Sequence, residues 1–238
     1  MESSLKGVSV DCVIFGFSGE ELKVFLLKPK YTSSWCLPRG PVYENELLHA
    51  AAARVLRETT GMDNVFLQQF QAYGAIGRYK YYSKRRTREL LDNSSESMTG
   101  LSYESVISVG YYALVDFERT GSEILEGSQW SEISCMPDLL FDHNDMIDMA
   151  LVTLRKDLRY LPIAKLLPEK FTLREMQQLY ETILARKFDR RNFHKLLMGY
   201  DFLIKLPEKR MGVANKPPNL YKIDFDKYEA ALQDGISY

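Results

Sequence analysis

The residues best suited to chemistry lie in a basic region toward the C-terminal end of the chain. Residues 186–222 hold ten Lys and Arg residues against three acidic ones, although the whole chain has a formal net charge of -1. Residues 165–238 carry 14 basic and 10 acidic residues, or +4, which leaves 17 minus 22, or -5, for the preceding part. This excess is suited to a polyanion, but charge alone equally fits a solvated surface.

The candidate DNA contacts in this region are basic and amide side chains at the start of a predicted helix, followed by basic residues in a predicted wing. A recognition helix presents such groups to phosphates and to base edges in the major groove. A wing contacts backbone phosphates without reading sequence. The helix candidates are Arg190, Arg191, Asn192, His194 and Lys195, and the wing candidates are Lys209, Arg210 and Lys216.

Local signals predict the elements that position these side chains. Thr172 followed by Glu175 forms a capping box, and apolar residues at helical spacing continue from it. Asp189 is a second N-cap, so a second helix follows after a short connection. Residues 202–206 and 219–223 have β-strand patterns around a segment rich in Pro and Lys. Two helices, a turn and a β-ribbon are the arrangement of a winged helix-turn-helix.

The N-terminal part mixes strands and helices. Residues 8–16 and 22–27 predict a β-hairpin, and further strands are expected at residues 34–37, 65–73, 104–116 and 129–134. Helices are expected at residues 46–60, with Gly61 as C-cap, and at residues 144–156. Residues 84–100 combine a charge run with Ser, Asn and Gly, which predicts a mobile insertion. The fold class predicted is α+β.

Seven spaced positions around the first predicted helix match a known signature. They are Gly40, Glu46, Arg54, Leu56, Glu58, Gly61 and Met62. In the form G-x5-E-x7-R-E-U-x-E-E-x-G-U, where U is bulky and apolar, this pattern resembles the Nudix box. The resemblance implies that Glu46 and Arg54 hold the loop onto the helix.

The departures from this pattern bear on catalysis. Active Nudix enzymes hold divalent metal with three carboxylates at helix positions i, i+3 and i+4. Here those positions are Val55, Glu58 and Thr59, so one carboxylate of the three remains. We expect no hydrolase activity, no resident metal and no cofactor. The alternative is a hydrolase of ADP-ribose or a related nucleoside diphosphate that recruits Glu44 and an acid from residues 89–104.

The C-terminal segment has its own likeness, carried by FTLREMQQLYE, DRRNF and the later NLY. Together with the Nudix box it resembles the Nudix-related transcriptional regulator family over nearly the whole chain, residues 84–100 excepted. The resemblance implies a Nudix-type α/β/α sandwich with a mixed sheet at residues 1–158 and a winged helix-turn-helix at residues 159–238. It also implies a homodimer on a palindromic DNA operator. A protein-docking role for the winged module is disfavoured by its positive charge.

The resemblance further implies a small-molecule effector, either a sugar such as arabinose or an ADP-ribose-like nucleotide. The candidate ligand-binding residues along the former substrate cleft are Trp35, Arg39, Glu58 and Arg78. Arginines suit a phosphate as well as a sugar, so the residues leave both effectors open. The N-terminus has no apolar signal segment and no apolar run approaches the roughly 20 residues of a membrane helix, so a cytoplasmic location is expected.

Overall fold

The structure, a computed structural model, describes residues 4–19, 21–30, 32–63, 65–74, 107–117, 127–211 and 217–236. The predicted insertion at residues 84–100 and the candidates Arg78 and Lys216 lie outside these ranges. In the described part of the chain, no helix combines the length and the apolar character needed to cross a membrane.

The described N-terminal residues form a mixed sheet. Its strands are β1 (Ser4–Phe17), β2 (Leu22–Leu27), β3 (Arg39–Tyr43), β4 (Phe66–Tyr73), β5 (Ile107–Asp116) and β6 (Ser128–Glu132). The order is β4-β5-β1-β2-β6, and β3 also pairs with β1. The β1–β5 pairing is parallel and the other pairings are antiparallel, which confirms the predicted mixed sheet and the β1–β2 hairpin.

Two helices cover the two faces of this sheet. Because successive side chains of a strand point to opposite faces, β1 serves two cores. Val10, Cys12 and Ile14 pack on the side of α1 (Leu48–Thr60), whereas Val13 and Phe15 pack on the side of α2 (His143–Asp157). The result is the predicted α/β/α sandwich.

The C-terminal residues form a helix-turn-helix followed by a wing. Its elements are α3 (Leu173–Leu184), α4 (Arg190–Gly199), the antiparallel strands β7 (Leu203–Lys209) and β8 (Asn219–Ile223), and α5 (Phe225–Asp234). Phe171, which precedes α3, forms an antiparallel bridge with Tyr221 of β8. This arrangement confirms the predicted winged helix.

Sequence reasoning missed α5, although its signals are present. Asp224 caps the helix by accepting a hydrogen bond from the Lys227 N–H at 3.3 Å. Tyr228 is fully buried, and its hydroxyl accepts a hydrogen bond from the Ala164 N–H at 3.3 Å. The helix therefore folds back onto the segment that connects the two halves of the chain.

The predicted strand at residues 34–37 is wrong in detail. Trp35 and Cys36 form isolated bridges to Leu139 and Leu27, and the continuous strand in this region is β3. Pro38 cannot donate a backbone hydrogen bond, so it interrupts regular pairing between these two segments. The helix predicted from residue 46 begins at Leu48, which leaves Glu46 in the preceding loop.

One apolar core runs through both halves. Residues of the sheet and α2, such as Phe15 and Leu154, belong to the same buried cluster as Leu179 of α3 and Phe193 of α4. The Arg155 Nε of α2 also donates a hydrogen bond to the Ile183 carbonyl of α3 at 2.6 Å. The proposed domain boundary between residues 158 and 159 stays a prediction, because this core continues across it.

Gly40 lies where β3 touches α1, and this contact yields a stability prediction. A Cβ added at Gly40 would lie 2.6 Å from Val55 Cγ2. Gly40→Ala should therefore lower the free energy of unfolding by about 1–3 kcal/mol, measured by urea denaturation. Gly199→Ala is the control, because its added Cβ meets nothing within 4 Å, and it should stay within about 1 kcal/mol of the wild type. In a Val55→Ala background, Gly40→Ala should lower the free energy of unfolding by less than it does in the wild type. An equal decrease in both backgrounds would contradict the contact.

Candidate functional site

The helix-turn-helix begins with a complete capping box. The Thr172 Oγ1 accepts a hydrogen bond from the Glu175 N–H at 3.2 Å, and the Glu175 Oε2 accepts one from the Thr172 N–H at 2.6 Å. These bonds satisfy two backbone donors at the start of α3. α3 ends at Ala185, which adopts left-handed backbone angles with φ of 52°. The chain thus leaves α3 in a fixed direction.

Glu181 fixes the turn between the two helices. Its side chain is 9% exposed and accepts hydrogen bonds at 2.9 Å from the Phe188 N–H, the Gln177 Nε2 and the Lys187 Nζ. Burial would raise the pKa of Glu181, but these hydrogen bonds favour the ionised form and lower it to about 2. The turn is therefore held by a carboxylate that stays charged throughout the neutral range.

α4 presents polar groups outward from a well-packed inner face. Asp189 caps the helix by accepting a hydrogen bond from the Asn192 N–H at 2.9 Å. Phe193 is buried with its ring centroid 5.3 Å from that of Tyr180 on α3. The exposed polar residues of α4 are Arg190, Arg191, Asn192 and Lys195.

His194 lies differently from its neighbours on α4. Its ring is half-buried, and it hydrogen-bonds the backbone at Leu173, the first residue of α3. Burial lowers the pKa of His194, and the nearby Arg190 charge lowers it further. A neutral ring between the two helices serves their packing, so the structure gives His194 a different setting from the exposed basic residues.

The wing carries the remaining described candidates. Lys209 is exposed near the end of β7, where it pairs with Asn219 of β8. Arg210 instead turns toward α3, and its Nη2 lies 2.6 and 2.8 Å from the two carboxylate oxygens of Glu175. The phosphate contact expected of Arg210 stays a prediction, and the structure adds that one nitrogen of its guanidinium is paired with Glu175.

The Nudix-box residues Glu46 and Arg54 brace the loop against α1. The Arg54 Nε donates to Glu46 Oε1 at 2.8 Å and its Nη2 donates to Glu46 Oε2 at 2.9 Å. The Arg54 Nη2 also donates to the Pro41 carbonyl at 2.7 Å, and the guanidinium carbon lies 4.2 Å from the centroid of the Tyr43 ring. The Arg54 hydrogen bonds lower the pKa of Glu46. This is the scaffolding role implied by the sequence.

The helix positions that hold metal in active enzymes lack that chemistry here. Val55 is 1% exposed and packs into the α1 core, and the Thr59 Oγ1 donates to the Val55 carbonyl at 2.7 Å. Glu58 is 58% exposed and lies 3.4 Å from Arg54. Among the described residues, no group of three His, Cys, Asp or Glu side chains could hold a metal ion.

On the opposite face, three charged or ionisable side chains meet in the interior. The Asp11 carboxylate, 1% exposed, has its Oδ1 3.4 Å from the Arg39 Nε and 3.3 Å from the His143 Nε2. Burial would raise the pKa of Asp11, but the Arg39 charge and the His143 contact lower it below its ordinary value. Sequence reasoning missed Asp11, although a single acid inside the apolar run at residues 8–17 was a signal.

The tautomer of His143 follows from its backbone contact. The Leu37 N–H donates to the His143 Nδ1 at 2.9 Å, so a neutral ring carries its proton on Nε2, which faces Asp11. Burial lowers the pKa of His143, against the opposing effect of Asp11. The contacts of His143 in the interior are therefore structural ones, to the Leu37 backbone and to Asp11.

The predicted effector residues do not all come together. Trp35 and Arg39 lie on the α2 side, where the Arg39 guanidinium carbon is 4.8 Å from the centroid of the Phe141 ring. Glu58 lies on α1, and Gly40, the residue next to Arg39, faces that helix. Because adjacent residues of a strand face opposite sides, Arg39 and Glu58 are separated by the sheet.

Comparison with known proteins settles the family. A NUDIX domain model matches residues 5–121, and the NrtR DNA-binding winged helix domain model matches residues 163–223. The chain belongs to the NrtR family. Members of this family join a Nudix domain to the winged helix described above, and this chain is a DNA-binding transcription regulator.

Individual relatives agree with this assignment to the NrtR family. The ADPR responsive transcriptional repressor NtrR of Acinetobacter baylyi is 28% identical over 242 residues, which cover 97% of this chain and 87% of that protein. The crystal structure of Shewanella oneidensis NrtR complexed with a 27mer DNA matches with a TM-score of 0.73 and 25% identity, over 93% of this chain and 95% of that one. A MutT/nudix family protein from Enterococcus faecalis shares the fold, with a TM-score of 0.63 and 19% identity over 94% of this chain and 88% of that one.

The buried His143 gives this NrtR-family protein a predictable pH dependence. Because the folded state disfavours protonation of His143, the unfolded chain binds the proton first as pH falls below about 6.5. The free energy of unfolding should therefore decrease from about pH 7 to about pH 5, measured by urea denaturation. His143→Gln should flatten this slope and leave the part due to His194, whose pKa is also lowered by burial. A full wild-type slope in His143→Gln would contradict the assignment.

Proposed function

We propose that this protein controls transcription by binding a palindromic operator as a homodimer and by changing its affinity when a small molecule occupies the Nudix domain. The observation that carries the proposal is the exposed polar start of α4. Arg190, Arg191 and Asn192 are exposed at the start of α4, directly after a turn fixed by Glu181, and the wing carries a further exposed basic residue, Lys209. Arg and Asn are the side chains that pair with guanine and adenine edges in the major groove.

An ADP-ribose-like nucleotide is the effector we favour. The Acinetobacter relative, similar over nearly its whole length, is an ADP-ribose-responsive repressor by name. In this chain, the Arg39 side chain is 13% exposed at the edge of the Asp11 cluster, and Trp35 is half-buried on the same face. An indole suits stacking against a base or a sugar face, and a guanidinium suits a phosphate, which at Arg39 would share the guanidinium with its partner Asp11. These two residues, with Arg78, remain our candidates for ligand contacts, whereas Glu58 is separated from Arg39 by the sheet.

The physical link between effector and DNA lies at the junction of the two halves. Arg155 joins α2 to α3, and the apolar core is continuous. The two halves also enclose a cavity of about 1070 Å³, lined by Nudix-side residues such as Met62 and Phe66 and by winged-helix-side residues such as Lys165 and Phe225. We infer that effector binding changes the relative position of the two halves at this junction and so re-aims the winged helix.

We further propose that the Nudix domain binds its effector without hydrolysing it. Mg²⁺ is bound by oxygen ligands in near-octahedral geometry, and a lone Glu58 paired with Arg54 does not supply such a site. Val55, at the position of a second metal-binding carboxylate, has an apolar side chain that is buried beside Gly40. It therefore supplies no oxygen ligand. The retained Glu46–Arg54 brace then serves the shape of the domain.

The effector experiment uses the full-length protein and the duplex that it selects from a random pool. ADP-ribose with Mg²⁺ should release this duplex in a fluorescence-anisotropy titration, because binding to one state shifts the equilibrium between states. The ADP-ribose should then be recovered intact by chromatography. L-Arabinose is the parallel arm, and release by arabinose alone would assign the effector to the sugar class. Turnover of ADP-ribose that is lost in Glu58→Gln would favour the hydrolase instead.

A second prediction concerns base reading by α4. Among Arg190→Ala, Arg191→Ala and Asn192→Ala, at least one should weaken binding of the selected duplex by about 1–3 kcal/mol and narrow the difference from a scrambled duplex. Lys209→Ala should weaken both duplexes alike and reduce the slope of log K against log salt by about one. Lys156→Ala, which removes an exposed charge from α2, is the control and should change neither. If all three α4 variants bind like the wild type, α4 is not the reading element.

A further inference from the structure

The wing is tied to the helix-turn-helix through Arg210. This residue lies just after β7, and its N–H donates to the Pro218 carbonyl at 3.0 Å, which closes the described base of the wing. Its side chain reaches back to Glu175, with one terminal nitrogen at 2.6 and 2.8 Å from the two carboxylate oxygens. The backbone of Arg210 is thus part of the wing, whereas its side chain contacts α3.

Glu175 is itself held in place. Its Oε2 accepts the Thr172 N–H at 2.6 Å in the capping box, so the carboxylate is fixed relative to the first turn of α3. A second ion pair lies beside it, because the Lys170 Nζ is 2.8 Å from the Glu208 Oε2 of β7. The backbone bridge between Phe171 and Tyr221 completes the attachment. These contacts join the start of α3 and the residues just before it to the wing.

We propose that Glu175 and Arg210 form a wing clamp, a pair of positioning residues that sets the angle of the wing relative to α4 so that both can contact DNA at once. The proposal rests on the proposed operator binding. It assigns to Arg210 a role that its residue type alone concealed, since a basic residue in a wing otherwise suggests a phosphate contact. Lys209, the neighbouring exposed residue, then makes the phosphate contact that the clamp aims.

The energetics favour positioning over simple stability. The Glu175 and Arg210 side chains are 30% and 38% exposed, and ion pairs of this exposure contribute little to folding. The ion pair matters instead for geometry, because the relative orientation of α4 and the wing decides whether both can contact DNA at once. The carboxylate also cancels most of the positive charge that Arg210 would offer a phosphate, which reduces its worth as an electrostatic contact.

The deciding variant is Glu175→Gln. Glutamine still accepts the Thr172 N–H in a capping box, so α3 keeps its start, but the ion pair with Arg210 is lost. If the wing clamp is correct, Glu175→Gln and Arg210→Ala should each weaken binding of the selected duplex by roughly three- to tenfold, and the double variant should be no weaker than either one. If Arg210 is a phosphate contact that Glu175 merely competes for, Glu175→Gln should instead strengthen binding. The two models thus predict opposite signs.

Salt dependence provides the independent readout. Arg210→Ala should keep the wild-type slope of log K against log salt, whereas Lys209→Ala should lower it by about one. Arg210→Lys should recover part of the affinity, because it keeps the ion pair. Circular dichroism and thermal unfolding of each variant should match the wild type. A lower slope in Arg210→Ala, together with tighter binding by Glu175→Gln, would overturn the clamp.

Failure of the proposed function would be visible separately. If the wild-type protein enriches no sequence from the random pool of DNA duplexes, the proposed sequence-specific binding is rejected. The affinities of the variants are then compared on a random duplex at low salt. Because wing contacts to phosphates do not depend on sequence, we expect the same order of affinities on this duplex. Glu175→Gln and Arg210→Ala should bind it more weakly than the wild type and as tightly as the double variant. A different ordering on that duplex would reject the clamp.

Discussion

The fold depends on the burial of α2 between the sheet and the winged helix. Met146, Ile147 and Leu154 are withdrawn from solvent in the cluster that also contains Phe15 of the sheet and Leu179 of α3. Burial of each large apolar side chain contributes about 1.5–3 kcal/mol, so this shared layer is a large part of the stability of both halves. α2 thus packs apolar side chains against both the sheet and the winged helix, and this layer is the route that our proposed coupling of effector and DNA would use.

The Nudix portion separates two functions that active enzymes combine. The Glu46–Arg54 brace, with contacts of 2.8 and 2.9 Å, fixes the loop to α1. The carboxylate face that would hold metal is replaced, because Val55 faces the core and Thr59 bonds the backbone of its own helix. The retained brace keeps the loop and α1 in position, which accords with our proposal that the domain binds its effector without hydrolysing it.

The DNA-binding half divides its polar residues by setting. Arg191 and Lys195 are exposed on α4, Glu181 is enclosed in the turn, and Arg210 is paired with Glu175. Residues of the same chemical type therefore have different roles. The exposed ones are available to contact DNA, and those paired within the protein hold the turn and the wing in position. This division explains how a small module can present a rigid surface without a large core of its own.

Local patterns in the sequence determined much of this architecture. The capping box at Thr172, the cap at Asp189 and the alternation of β1 depend on neighbouring residues, and short-range rules describe them well. The spacing of the Nudix box likewise located the loop and α1, and α5 was missed although Asp224 and Tyr228 signalled it. The tertiary structure alone decided the partners: Asp11 beside Arg39 and His143, and Arg210 on Glu175. These pairs join residues 28 to 132 positions apart, and the physical reason is that charge attraction depends on distance in space, which no local spacing rule encodes.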